Sequence, residues 1–240
     1  MEVIPAIDLK DEVCVRLYQG DFDRQTVFST DPLEVAQRWR RAGAQRIHVV
    51  DLDGSRDGAP ANLNVIASLA EGVDVPLQVG GGIRSLDDAE SLLQRGIQRV
   101  VLGTAAVEDP SLVEELCRRW GPQSVVVALD SRDGKVAVKG WQEDTPISAV
   151  DLAQRMARLG VLRFLYTDIS RDGTMTQPNF GAVQAMVNDT GLAVLASGGV
   201  SSLDDIRQLT HTGAEGVVLG SALYRGAVDL AQAISVGAGL

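Results

Sequence analysis

Residues 81–105 read GGIRSLDDAESLLQRGIQRVVLGTA, and residues 198–222 read GGVSSLDDIRQLTHTGAEGVVLGSA. A shift of 117 positions lays one over the other with 13 of 25 residues identical, where ordinary composition gives about two. The same shift pairs Asp51 with Asp168 and Asn62 with Asn179, and a shift of 122 pairs Asp8 with Asp130. The chain therefore reads as two similar halves, 1–121 and 122–240. Four parallel strands alone would leave open edges, so two halves closing on each other are preferred to two free domains.

The strand pattern agrees. Short, nearly continuous apolar runs fall at 2–8, 46–51, 75–79, 99–103, 124–130, 163–168, 192–197 and 216–220, as expected of a parallel sheet covered on both faces. Helix signals lie between them. Asp31-Pro32-Leu33-Glu34 offers an N-cap, a proline at the first turn and a reach-back carboxylate. Asp109-Pro110 and Thr145-Pro146 repeat the cap-then-proline device, while Ser85–Asp88 and Ser202–Asp205 read as capping boxes. Gly43, Gly96, Gly160 and Gly213 stand where helices should stop. Eight strands alternating with eight helices, with right-handed connections, predict an α/β fold, a single (β/α)8 TIM barrel of two (β/α)4 halves. An open doubly wound sheet is the rival, and the repeat weighs against it.

Bulk properties narrow the function. At 240 residues and 45% hydrophobic, the chain can bury a large core. A net charge of −10 argues against nucleic acid as a partner. Only Cys14 and Cys117 occur, without metal or redox spacing, which suits a reducing cytoplasm. No signal peptide and no membrane span is legible, so a soluble cytoplasmic protein is expected, read here as a monomer.

In such barrels chemistry sits at the carboxyl ends of the strands. The predicted ends carry Asp8, Asp51, Asp130 and Asp168 in two quadrants of the mouth. The other two quadrants carry Gly81, Gly82, Gly103 and Thr104, and Gly198, Gly199, Gly220 and Ser221. Glycine permits close backbone approach and a helix N-terminus presents free N–H groups, so each cluster is a candidate phosphate cradle. Gly173 and Thr174 are candidates to close the second. Tight strand–helix turns would need glycine as well, but two matched clusters favour a ligand with a phosphate at each end. Asp8 and Asp130, facing each other by pseudo-symmetry, suit general acid–base work. Arg16, Lys139 and Arg84 are candidate cations near the mouth, and Trp141 suits stacking on a flat heterocycle. No metal constellation is legible. His48 reads as a core histidine, on the face opposite Asp51 if Asp51 points into the barrel. Paired acids, paired cradles and no cofactor motif suggest an aldose–ketose type isomerisation of a sugar bisphosphate.

The same residues carry a resemblance. IPAIDL (4–9), VRLYQGD (15–21), HVVDLDG (48–54), QVGGGIR (78–84), GWQE (140–143), TDISRDGT (167–174) and ASGGVSSLDD (196–205) resemble the phosphoribosylformimino-5-aminoimidazole carboxamide ribotide isomerases of histidine biosynthesis. The resemblance spans essentially the whole chain. It implies an Amadori rearrangement of an aminoaldose to an aminoketose without metal or cofactor. By motif position it implies Asp8 as the base that takes the C2 proton and Asp130 as the acid that opens the ribose ring. Thr167 or Asp168 would support the acid; Arg16 and Trp141 would hold the substrate. Two positions depart from the family pattern. Glu12 stands where glycine is usual and is expected to stiffen the first loop, and Ser221 stands where a larger basic residue is frequent. The sister cyclase that makes imidazole glycerol phosphate fits less well, because Ala6-Ile7-Asp8 and Arg16 replace its CLD start and later lysine. A bifunctional relative that also isomerises phosphoribosylanthranilate has a longer fifth loop. A noncatalytic phosphate binder would leave the paired acids without a task.

Overall fold

Runs of Val, Ile, Leu and Ala between glycine-rich turns become strands buried on both faces. The computed structural model describes all 240 residues. Its first half contains β1 (Glu2–Lys10), β2 (Val13–Tyr18), β3 (Asp21–Ser29), β4 (Ile47–Asp51), β5 (Leu77–Gly80) and β6 (Arg99–Leu102). The second half contains β7 (Val125–Arg132), β8 (Lys135–Val138), β9 (Glu143–Ser148), β10 (Arg163–Asp168), β11 (Ala193–Ser197) and β12 (Gly216–Leu219).

Eight of these strands pair in parallel in the order β10-β11-β12-β1-β4-β5-β6-β7, and β7 pairs with β10 to close the ring. The result is a single (β/α)8 barrel. Its lumen is filled by Ile4, Ala6, Val101, Val126, Ala128, Leu165, Leu195 and Val218, so the barrel is a packed core with a site only at its mouth. A larger cluster, including Ile7, Leu9, Leu116 and Phe164, fills the layer between strands and helices. Alternation along each strand supplies both layers from one apolar run.

Several local signals act as expected. Ser85 and Ser202 form reciprocal capping boxes with Asp88 and Asp205. Asp31 and Asp109 cap helices that begin with Pro32 and Pro110. Gly43, Gly96, Gly160 and Gly213 take positive φ just past helix ends. Glu34 does not complete a box with Asp31; it lies 4.0 Å from Arg41, one of the last residues of its own helix.

Two expectations fail. Thr145-Pro146 does not start a helix: both residues lie in β9, and the helix Ala149–Arg158 is capped by Ser148. The alternation is also richer than eight and eight. β2 and β3 form an antiparallel extension from β1, and β8 and β9 form another from β7. Both extensions are loops by position but strands by hydrogen bonding. They grow from diametrically opposed barrel strands.

Candidate active site

Asp8 and Asp130 end the inward-facing rows of β1 and β7, four strands apart in the ring of eight. Both line one cavity at the carboxyl ends of the strands. Asp8 accepts a hydrogen bond from Arg16 Nη1 at 2.6 Å. Arg16 reaches it from β2, and its Nη2 also donates to the Ala6 carbonyl at 3.2 Å. Burial pushes the Asp8 carboxyl up from its ordinary range, and the guanidinium partly offsets this. Burial raises Asp130 as well, offset by hydrogen bonds from the Trp141 indole and the Thr167 hydroxyl. The two acids are thus held in unlike company: a cation beside one, neutral donors beside the other.

The glycine clusters occupy the remaining quadrants. Gly81 and Gly82 follow β5, Gly103 and Thr104 follow β6, and all four line the cavity. Gly198, Gly199, Gly220 and Ser221 do so after β11 and β12, directly opposite. Backbone demands alone would require glycine at some of these positions. Gly81 has φ +105 and Gly198 φ +92, and a Cβ at either would press on the carbonyl of Asp51 or Asp168. A Cβ at Gly220 would collide with the Arg16 guanidinium. Glycine thus lets Arg16 lie across from Asp8 toward the second cluster.

Not every candidate reaches the cavity. Asp51 is fully buried and faces away from it. Its carboxylate accepts from Gly54 N (2.9 Å), Ala61 N (2.7 Å), Asn62 N (2.9 Å) and Asn62 Nδ2 (2.7 Å). Asp168, its counterpart, accepts from Ser170 N, Ser170 Oγ and Asn179 Nδ2. These carboxylates build the loops behind the glycines, which corrects Asp51 as a substrate contact and Asp168 as support for Asp130. Thr167, in register with Asp130, is the residue that touches the acid. Thr174 also turns away, donating to the Arg171 carbonyl, while Gly173 stays at the cavity wall. The reason is parity: Asp51 lies three residues from His48, so one alone can face inward. His48 is the one that does.

The rim is polar and clasped. Lys139 and Arg84 line the cavity but are both near Glu108, at 3.9 and 3.6 Å, and Lys139 Nζ lies 2.9 Å from Glu143. Thr104 Oγ1 accepts from Lys139 N at 2.8 Å, tying the fifth loop to the first glycine cluster. The Trp141 ring covers Gly20, where a Cβ would collide with it. The backbone N–H of Gln19 donates to the Asp172 carbonyl at 3.2 Å, and its side chain donates to Ser170 O at 2.6 Å. Loops after β1, β7 and β10 therefore meet over the mouth.

Several cavity residues escaped the sequence reading, His48 and Asp172 among them. Asp172 lines the pocket near Arg16, Asp8 and Asp130, and burial pushes its carboxyl up to about 6. In sequence it is one acid in a turn-like RDG; only loop closure turns it inward. Among His, Cys, Asp and Glu there is no group arranged to hold a metal ion.

Comparison with known proteins adds a family. Residues 2–229 match the family model described as "Histidine biosynthesis protein". A protein of Chloroflexus aggregans is 50% identical over 236 residues, 98% of each chain, and is named 1-(5-phosphoribosyl)-5-((5-phosphoribosylamino)methylideneamino)imidazole-4-carboxamide isomerase. Proteins with the same name in Dehalococcoides mccartyi and Gloeothece citriformis are similar too. The first is 51% identical, covering 97% of this chain and 98% of its own, and the second 50% identical, covering 100% and 94%.

Proposed function

The chain belongs to the histidine biosynthesis protein family, and from that premise we propose that it catalyses the Amadori rearrangement its relatives are named for. The substrate is an aminoaldose carrying two phosphoribosyl groups, and the product is the corresponding aminoketose. One observation carries the reading. Two buried carboxyls on opposed strands face a single cavity whose other two walls are opposed glycine clusters.

The chemistry follows from what each side holds. Asp130, raised by burial and contacted by Thr167 and Trp141, gives a proton to the ring oxygen. The C1–O bond breaks as the nitrogen lone pair forms a protonated imine. Asp8, ionised beside Arg16, takes the C2 proton, and the electron pair neutralises the imine. The resulting enolamine becomes the aminoketose when the enol proton returns to Asp130 and Asp8 delivers its proton to C1. Both acids end as they began. Asp172 lines the same cavity, with the charges of Arg16, Asp8 and Asp130 all felt at its carboxyl. The cluster of Gly81, Gly82, Gly103 and Thr104 takes one phosphate; Gly198, Gly199, Gly220 and Ser221 take the other, with Gly173 at the edge. Trp141 lies against the carboxamide-bearing heterocycle, and Arg84 and Lys139 complete the rim.

An absorbance assay with purified protein and the aminoaldose tests this. Asp8→Asn is expected to lose about 10³-fold or more in kcat while still binding substrate; retained turnover would remove Asp8 from its role. Asp130→Asn should lose turnover to a comparable degree, and near-normal rates there would mean that ring opening uses another acid.

A further inference from the structure

Three buried polar side chains of neighbouring barrel strands form a row. Register places His48 of β4 beside Gln78 of β5, and Gln78 beside Arg99 of β6. Residues in register on neighbouring strands share a face, so all three point into the lumen. They are buried, with Gln78 wholly inaccessible. Arg99 Nη1 donates to Gln78 Oε1 at 3.5 Å, and the Gln78 amide nitrogen lies 3.1 Å from His48 Nδ1. His48 itself lines the cavity floor, below Val50 on its own strand and in register with Ala6, two residues before Asp8.

Donor and acceptor inventories leave one arrangement. A guanidinium only donates, so the Gln78 oxygen faces Arg99 and the amide NH2 faces the ring. An amide NH2 only donates, so Nδ1 must accept and carries no proton. The ring proton therefore sits on Nε2, which has no hydrogen-bond partner within the protein. An imidazolium would set an N–H against the amide N–H. Burial and the nearby Arg16 charge agree, pushing His48 down to about 3. The charged groups around the ring are Arg16 from β2, Asp8 from β1 and Arg99 behind Gln78.

We propose that Arg99 and Gln78 lock His48 as the neutral Nε2–H tautomer, and that this N–H donates to the substrate oxygen beside the carbon Asp8 deprotonates. The second half of this rests on the isomerase reading above; the lock does not. A neutral imidazole is a very weak acid, so it stabilises charge building on that oxygen without surrendering its proton. Gln78 and Arg99 are positioning residues, acting only through the ring.

Nitrogen-15 NMR of the wild-type protein tests the lock directly, since the chain has two histidines and the other, His211, is on the surface. Expected is a His48 resonance pair with Nε2 protonated and Nδ1 bare, unchanged between roughly pH 5 and 8. A protonated Nδ1, or a ring that titrates in that range, overturns it. Gln78→Glu replaces the donor by an acceptor and should protonate Nδ1, bringing a new ionisation into the kcat–pH profile; a wild-type NMR pattern in that variant also overturns the lock. For the donor role, His48→Ala should lose about 10²-fold in kcat with KM little changed. His48→Gln, which returns an amide N–H near the same place, should recover most of that loss. Full kcat in His48→Ala defeats the donor half. If the wild type shows no turnover of the aminoaldose, the donor half falls with the isomerase reading while the NMR result still decides the lock.

Discussion

Glu12 shows how one residue can be misjudged from its charge. Asp11 and Glu12 form the two-residue turn between β1 and β2, with φ +50 and +64. Two positive φ values define the hairpin turn that favours Asn-Gly or Asp-Gly. The turn is held from behind, since Asp53 and Asn62 accept the N–H groups of Asp11 and Glu12. What matters at Glu12 is therefore the left-handed backbone rather than stiffening by a carboxylate. Glu12→Gly is expected to stabilise the fold by about 1 kcal/mol, read from urea denaturation midpoints, with activity retained. Asp172 makes a pH-dependent prediction. Its folded-state value near 6 lies above that of an unfolded aspartate, so the native protein binds the extra proton. Its contribution to stability is intact at pH 4 and below, and is lost as pH rises through the native value, by about 3 kcal/mol in all. Asp172→Asn should accordingly match wild type near pH 4 and exceed it at pH 7 in urea titrations; equal stability at both pH values would refute a buried, raised carboxyl.

Elements were legible where a signal has one meaning. A serine followed three residues later by aspartate, ahead of an amphipathic run, marks helix starts at Ser85 and Ser202, and the same spacing at Ser148 and Asp151 marks the start that Thr145-Pro146 obscured. Thr145-Pro146 has two meanings, because proline also suits an edge strand, and β9 is the end of its sheet path. Thr145 spends its hydroxyl on the Val136 carbonyl at 2.8 Å. Ser148→Ala should thus cost about 1 kcal/mol as a lost cap, while Thr145→Ala leaves that helix start intact. The paired loops behind the glycines depend on Asp51. Removing its carboxylate strands four donors, so Asp51→Ala is expected to destabilise by about 3 kcal/mol or more. Asn62 and Asn179 show divergence between the halves. Asn179 caps its own helix through Ala182 N, whereas Asn62 Oδ1 is diverted to the first loop at Glu12 N.

At the scale of the molecule, closure is what the two halves achieve together. We propose that 1–121 and 122–240 are duplicated units, since each contributes four barrel strands and one antiparallel extension. Each half alone would expose two unpaired parallel edges. Separately expressed, each is expected to associate with itself, as sedimentation would show, and co-expression should restore a one-to-one complex; stable monomeric halves would contradict the idea. The sequence by itself determined the eight barrel strands, most helix ends, the repeat and hence the opposition of Asp8 to Asp130. Those features depend on local pattern and on the order of units along the chain, which a barrel translates directly into angular position. Only the tertiary structure decided which side chain at each strand end turns inward. His48 rather than Asp51, Thr167 rather than Asp168, and Asp172 at all are settled by strand parity and loop closure. Those choices depend on contacts between residues far apart in the chain, such as Gln19 with Asp172 and Trp141 with Gly20.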